Sequence, residues 1–301
     1  MWGQHDGRLH AETMDQRSDS SSVVRQLAGF VAFSHGWTWA LWSVVLIRGG
    51  SAWEWPNAAF LIAGGLGVPI GGLVMTWRDG GRRALRDLTR RCLDLRLPDT
   101  RWWGVVVFLF PATTLAAAGL YRLAGGTGGL ETLGLVQLWS DPAGFALTAG
   151  FVLVAGPLPE EIGWRGYALD RLQRRWSVLG AALVVGGLWA TWHVPLYALQ
   201  GYYSAFGVGP PDPVEHLAGV LVASVLYAWI YARTGRSVLA VIVFHFFQNF
   251  SGQLLGATPA TDRVHFWLLA ALALGVTLVE GTDLGLNTNR HRGGRVDLDV
   301  D

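Results

Sequence analysis

The sequence predicts an all-α integral membrane protein with about eight transmembrane helices and both termini in the cytoplasm. Hydrophobic residues make up 51% of the 301 residues and charged residues only 15%, against roughly 25% in an average soluble domain. The charges are confined to short stretches, and the chain between them is apolar over lengths near the roughly 20 residues that a membrane helix needs. This pattern disfavours the alternative of a large soluble protein with buried helices.

Eight apolar stretches are the candidate transmembrane helices. They lie at 27–47, 58–77, 102–121, 144–158, 178–199, 217–232, 237–254 and 264–280. The stretches at 144–158, 217–232 and 264–280 are short for a full crossing, so we expect them to continue into flanking residues or to thin the bilayer. We predict one membrane domain, 27–282, between disordered cytoplasmic tails at 1–26 and 283–301.

The distribution of arginine tests this count, because all 23 basic residues are arginine. Twenty of them lie in the tails or in the gaps after the second, fourth and sixth stretches, and only Arg48, Arg122 and Arg263 lie in the other gaps. Positive residues gather on the cytoplasmic side, so the alternation predicts an even number of crossings. The all-arginine usage suggests a GC-rich bacterium, so we expect a multi-pass protein of a bacterial inner membrane. The net charge of +1 gives no sign of a nucleic-acid partner.

Ionisable residues within membrane segments are costly, and by default they indicate functional sites. The chain has few of them, namely His35, then Glu160, Glu161 and Arg165 after the fourth stretch, His193, and His245, which Asn249 follows by one turn. His35 has no assigned role, and a contact between helices is its simplest interpretation. Glycines in the second stretch, including Gly71 and Gly72, form a small-residue face that allows close helix packing.

The two glutamates follow a helix break. Pro157 and Pro159 end or restart a helix, which places Glu160 and Glu161 in its first turn. Arg165 lies four residues after Glu161, so these two can pair on one face, while Glu160 is turned away by about 100°. An acidic helix start at the membrane edge is the ordinary alternative. Glu160 is however 11 residues, or about 16 Å, from the interfacial arginine at 171.

The histidines lie on two later helices. His193 follows Trp189 by one turn, and His245 shares a helix face with Asn249. His245 is about 14 Å from the arginine at 236, a depth similar to that of Glu160. His193 would lie about 27 Å from the arginine at 175 on a straight helix, and the sequence does not explain how it reaches the same depth. Either histidine alone could be a helix contact, but the whole set favours a site.

In this order the three segments resemble the signature of the CAAX prenyl endopeptidase and bacteriocin-processing family of intramembrane proteases, also called the Abi family. The family motifs Glu-Glu-x-x-x-Arg, Phe-x-x-x-His and His-x-x-x-Asn or Asp read here Glu160-Glu161-Ile162-Gly163-Trp164-Arg165, Trp189-Ala190-Thr191-Trp192-His193 and His245-Phe246-Phe247-Gln248-Asn249. The motifs fall within 157–255. Trp189 stands where phenylalanine is usual. It keeps an aromatic ring, so we expect the departure to change pocket shape more than chemistry, and Trp189→Phe to retain activity.

The resemblance implies a membrane endopeptidase with Glu160, Glu161, Arg165, His193, His245 and Asn249 as its catalytic residues. Glu160 would act as general base on a water that His193 also holds, and His245 and Asn249 would donate to the oxyanion. Glu161 and Arg165 would brace their helix and fix the orientation of Glu160. A second scheme places zinc on Glu160, His193 and His245, so a metal is an open alternative and not a requirement.

The resemblance also implies a membrane-associated peptide or protein as substrate. In type II CAAX members this is a prenylated C-terminal segment, but bacteria generally lack protein prenylation, so a lipid group on the substrate stays open. Two other functions are compatible with buried ionisable residues in membrane helices. A transporter or channel would use buried ionisable residues for ions or protons, but no inverted repeat is visible. A non-catalytic immunity protein or scaffold would keep the same residues for packing.

Overall fold

The computed structural model describes residues 3–130, 133–206 and 211–286. Within these ranges eight helical segments are long and apolar enough to cross a membrane. They are Ser22–Arg48, Asn57–Leu93, Trp102–Leu123, Pro142–Leu172, Val178–Ala198, Pro213–Arg233, Val238–Leu255 and Pro259–Glu280. Each overlaps one of the predicted stretches, and the three short stretches are extended by flanking residues. The predicted all-α, multi-pass membrane fold is therefore confirmed.

Twelve α-helices of the described ranges build these spans, and some spans contain more than one of them. In chain order they are α1 (Gly3–Arg48), α2 (Asn57–Gly65), α3 (Gly67–Leu93), α4 (Trp102–Leu123), α5 (Leu133–Ser140), α6 (Pro142–Ala155), α7 (Pro157–Gly163), α8 (Asp170–Leu172), α9 (Val178–His193), α10 (Pro213–Arg233), α11 (Val238–Leu255) and α12 (Asp262–Glu280). A π-helical turn, Trp164–Leu169, connects α7 to α8.

The first helix begins earlier than its span. Residues 3–26, for which the sequence predicts a disordered tail, lie within α1. Lengthening an existing helix is cheaper than starting one, because each added residue contributes a backbone hydrogen bond without a new nucleation step. Of the predicted C-terminal tail, residues 287–301 lie outside the described residues. The side of the membrane on which both termini lie stays a prediction.

The fourth span is interrupted where the glutamates begin. Helix α6 ends at Ala155, the backbone of Gly156 is non-helical, and α7 restarts with Pro157 in its first turn. Proline is tolerated there because the first N–H groups of a helix have no acceptor within it. The restart predicted from the prolines is confirmed, and it places Glu160 in the first turn of α7.

A glycine contact holds α7 against α3. A Cβ atom on Gly72 would stand 2.9 Å from the Cα of Gly163, and a Cβ atom on Gly163 would overlap Val68. Only residues without a side chain allow two helix backbones to approach this closely. The small-residue face predicted for the second span therefore lies against the helix that carries the glutamates.

An ion-pair cluster joins the arginine-rich ends of the fourth and seventh spans. Asp170 is buried and accepts hydrogen bonds from Tyr231 Oη and Arg236 Nε, both at 2.9 Å. Glu160 lies ten residues before Asp170, and His245 lies nine residues after Arg236, which is about 14–15 Å along each helix. The two side chains therefore start from a common level and reach similar depths.

The orientation can be tested with single cysteines in a Cys92→Ser background. Ser204 lies in the exposed loop after the fifth span, and Thr100 is exposed before the third. With eight crossings and the arginines inside, these loops lie on opposite sides of the membrane. We expect a membrane-impermeant maleimide to label Ser204→Cys in intact spheroplasts and Thr100→Cys only after permeabilisation. The reverse pattern would place both termini outside.

Candidate active site

Glu161 is fully buried and connects two helices of the candidate site. Its Oε1 accepts a hydrogen bond from Arg165 Nη1 at 3.0 Å and one from His245 Nδ1 on α11 at 2.8 Å. The pairing with Arg165 that the spacing predicts is confirmed. The contact with His245 fixes the proton on that ring nitrogen, since a carboxylate only accepts. It leaves Nε2 of His245 for another partner.

The Arg165 guanidinium is enclosed between two aromatic rings. It lies 4.5 Å from the centroid of Trp189 and 4.4 Å from that of Tyr227, a geometry in which ring faces attract a cation. Its Nη2 also lies 3.4 Å from Ser224 Oγ. Tyr227 and Ser224, on α10, were missed in the sequence because no motif contains them. The available signal was two polar residues one turn apart in an apolar stretch.

Glu160 has different partners on its two carboxylate oxygens. Oε2 accepts a hydrogen bond from Trp189 Nε1 at 2.6 Å. Oε1 borders the space above Gly156, where an added Cβ would meet both this oxygen and Asn249 Nδ2 at 3.5 Å. One oxygen is thus bound by α9, and the other faces the side where α11 presents Asn249. This polar contact gives Trp189 a chemical partner at a position where the sequence predicts an effect on pocket shape more than on chemistry.

His193 stands at the end of α9 and leans back toward the site. Its Nδ1 lies 2.8 Å from the carbonyl oxygen of Trp189, so Nδ1–H donates there and Nε2 keeps its lone pair. Helix side chains tilt toward the N-terminus, and the ring centroid of His193 is 5.7 Å from that of Trp189. Trp189 is therefore the residue level with Glu160, and His193 approaches this level from one turn beyond.

A group of polar aromatic residues follows His193 and was missed in the sequence. The ring of His216 lies 5.7 Å from that of His193, and its Nδ1 is 2.6 Å from Tyr197 Oη. Burial raises the pKa of the Tyr202 phenol and the Glu160 carboxylate raises it further, so the hydroxyl stays protonated near that carboxylate. These residues lie in the loop after α9 and at the start of α10, outside the motifs.

His35 lies beside the site and connects two helices. Its Nε2 is 3.1 Å from the carbonyl oxygen of Leu188 and 3.3 Å from Thr191 Oγ1. Both partners are on α9, whereas His35 is on α1. This contact is consistent with the simplest interpretation of His35, a polar contact between packed helices.

No zinc site is preformed among the described side chains, and the zinc scheme on Glu160, His193 and His245 stays a prediction. Among the residues in the described ranges, no group of three His, Cys, Asp or Glu side chains could hold a metal ion. The Trp189 ring lies beside both candidate histidines, with centroids 5.7 Å from His193 and 5.3 Å from His245. His245 Nδ1 and Glu160 Oε2 already have partners. We therefore derive no step through a metal.

Comparisons with known proteins agree with this geometry. Residues 142–251 match the family described as Type II CAAX prenyl endopeptidase Rce1-like, and this range contains all six candidate residues. The chain is also similar to CAAX prenyl protease 2 of Methanococcus maripaludis, with 27% identity over 202 residues, which are 65% of this chain and 72% of that protein. The predicted resemblance to the CAAX prenyl endopeptidase family is therefore confirmed over the segment that carries the motifs, and these matches indicate a membrane endopeptidase.

Proposed function

We propose that this protease hydrolyses a peptide bond with a water molecule that Glu160 activates. The supporting observation is the contrast between two adjacent carboxylates. Glu161 is 0% exposed and binds Arg165 and His245, whereas Glu160 is 9% exposed and binds one neutral donor, Trp189. A general base needs an oxygen that can reach a proton. Glu160 keeps such an oxygen, and Glu161 supports the structure around it.

In the proposed mechanism His245 donates through both ring nitrogens. Its Nδ1 lies 2.8 Å from Glu161 Oε1, and its Nε2–H would donate to a substrate oxygen.

The proposed reaction follows from these assignments. Glu160 Oε1 accepts a proton from the water, and His193 Nε2 accepts a hydrogen bond from the same molecule. The water oxygen attacks the scissile carbonyl carbon, and the resulting oxyanion is stabilised by His245 Nε2–H and Asn249 Nδ2–H. The C–N bond then breaks, and Glu160 returns its proton to the amine. The products are one carboxylate and one amine.

An apolar cavity indicates how a substrate reaches the site. It measures about 220 Å³ and is lined by Ala149, Gly150 and Leu153 of α6 and by Val243 and Phe246 of α11. Phe246 lies one turn before Asn249, and α6 has no buried residue. An apolar substrate segment fits this position. We therefore propose a membrane-associated peptide or protein as substrate, with a lipidated cysteine as the first candidate. The proposed location, a bacterial inner membrane, rests on the eight spans and the arginine usage.

Glu160→Gln is expected to abolish cleavage and leave stability unchanged. The amide keeps the size of the side chain and an oxygen for the Trp189 N–H, but it does not accept a proton from water. We expect turnover to fall by at least about 10³-fold. The measurement is cleavage of a fluorogenic membrane-peptide library, with and without a farnesylated cysteine, by purified protein in liposomes. Glu54→Gln, at an exposed loop position, is the control.

If Glu160→Gln cleaves the peptides at a rate near that of the wild type, Glu160 is not the general base. A folded wild type that cleaves no peptide, together with a Glu160→Gln variant that still gives the cellular phenotype of the wild type, would favour the immunity or scaffold alternative. His193→Ala and His245→Ala are expected to lose cleavage as well.

Glu161→Gln is expected to lose both activity and stability. The change leaves the buried Arg165 and the His245 ring without their carboxylate, and breaking a buried pair costs about 3–5 kcal/mol. Thermal unfolding in detergent measures this, and Glu160→Gln serves as the matched variant one residue away. Equal Tm values for the two variants would contradict the structural assignment of Glu161.

Cleavage is expected to survive a strong chelator, because Glu160 activates the water without a metal in the proposed mechanism. The assay compares initial rates before and after incubation with chelator, and again after addition of zinc. Loss of activity with chelator and recovery with zinc would favour the scheme in which Glu160, His193 and His245 bind the metal.

A further inference from the structure

Trp189 contacts four of the charged or titratable groups that the proposed mechanism uses within the membrane. Its side chain is almost fully buried, its Nε1 lies 2.6 Å from Glu160 Oε2, and its ring lies over the Arg165 guanidinium. The rings of His193 and His245 are at 5.7 and 5.3 Å from its centroid. No other side chain among the described residues contacts all four of these groups.

The contact with Glu160 has one chemical interpretation. An indole nitrogen carries a hydrogen and has no lone pair for a further bond, so Nε1 donates and the carboxylate oxygen accepts. Hydrogen bonds to a charged acceptor are stronger than those between neutral groups. Phenylalanine would fill most of the same space without this donor, so the polar contact depends on tryptophan at position 189.

The direction of the N–H group is fixed by the packing of the indole. One ring face lies 4.5 Å from the Arg165 guanidinium, which is itself stacked on Tyr227 at 4.4 Å. The Tyr227 hydroxyl is in turn hydrogen-bonded to Gln248 Oε1 at 2.5 Å. Rotation of the indole would disrupt this stack, so the donor is held in place before any substrate binds. Such preorganised support fixes catalytic groups within their productive geometry.

The bond also distinguishes the two oxygens of the base. With Oε2 held by Trp189, Oε1 is the oxygen that borders the space near Asn249. A carboxylate without the bond could turn about its terminal torsion, which is broad for glutamate. The N–H group therefore fixes the plane of the carboxylate, and with it the direction of the oxygen that faces the position of the attacking water.

We infer that Trp189 is a positioning residue whose indole N–H holds Oε2 of Glu160 so that Oε1 takes the proton from water. This inference rests on the proposed function of Glu160. It replaces the expectation that Trp189→Phe retains activity.

Two substitutions at position 189 separate the N–H group from the ring. Trp189→Phe removes both the donor and part of the ring, whereas 3-benzothienylalanine at position 189 keeps the bicyclic shape and replaces N–H by sulfur. For both we expect kcat to fall about 10- to 100-fold, because a displaced catalytic group loses productive orientation. KM for a fluorogenic farnesylated peptide should change by less than about threefold, since the proposed substrate cavity does not contain Trp189.

Trp164→Phe is the matched control. Trp164 is fully buried in the same region, and its Nε1 has no hydrogen-bond partner among the described residues. This variant loses the same atoms without losing a donor that is in use. We expect its kcat to stay within about threefold of the wild type. A larger fall than at position 189 would assign the effect to ring packing and overturn the inference.

A spectroscopic measurement tests the bond without turnover. The chain has 16 tryptophans, so the ultraviolet resonance Raman band that reports indole N–H bonding is assigned to Trp189 by subtracting the Trp189→Phe spectrum. We expect the band at the position of a strongly bonded N–H in the wild type, and at the position of a free N–H in Glu160→Ala. A free N–H in the wild type would overturn the inference.

The outcomes separate this inference from the proposed function. Wild-type kcat in the benzothienylalanine variant would overturn the role of Trp189 while an inactive Glu160→Gln leaves the proposed function intact. An active Glu160→Gln would overturn the role of Glu160, and the inference with it. If Trp189→Phe fails to fold, the benzothienylalanine variant, which keeps the ring shape, decides the question.

Discussion

The carboxylate of Glu161 is the contact on which the arrangement of the site depends. It is fully buried and accepts hydrogen bonds from Arg165, on the π-helical turn after α7, and from His245 on α11. An unpaired charge in a region shielded from water is strongly unfavourable, so this carboxylate fixes the relative positions of the two helices. Arg165, once held there, becomes the cation against which Trp189 and Tyr227 stack.

The backbone on both sides of Glu160 and Glu161 departs from regular α-helix. The fourth span breaks at Gly156, restarts with Pro157, and passes through a π-helical turn at Trp164–Leu169. Irregular backbone is tolerated at membrane depth when protein surrounds it, and π turns often occur at functional sites. The close contact of Gly72 with Gly163 supplies that protein wall from α3. The break and the packing together bring the glutamates inward.

Two neighbouring residues of the same type, Glu160 and Glu161, have different surroundings. Glu161 binds Arg165 and His245, whereas Glu160 has a neutral indole on one oxygen and an open side on the other. Paired carboxylates with unequal environments are a common way to separate a reactive group from a supporting one. The similarity of residues 142–251 to the Rce1-like type II CAAX prenyl endopeptidase family is consistent with the proposed division.

The sequence by itself determined the eight spans, the helix restart at Pro157 and the pairing of Glu161 with Arg165. These features depend on hydropathy and on spacing within one helix, and both are local. The tertiary structure decided that Trp189 donates to Glu160, that His245 shares Glu161, and that His193 reaches the site by leaning back along α9. It also brought Tyr227 and Ser224 to Arg165. These contacts depend on how helices rotate and tilt against one another, and the spacing of residues along a single helix does not contain that information.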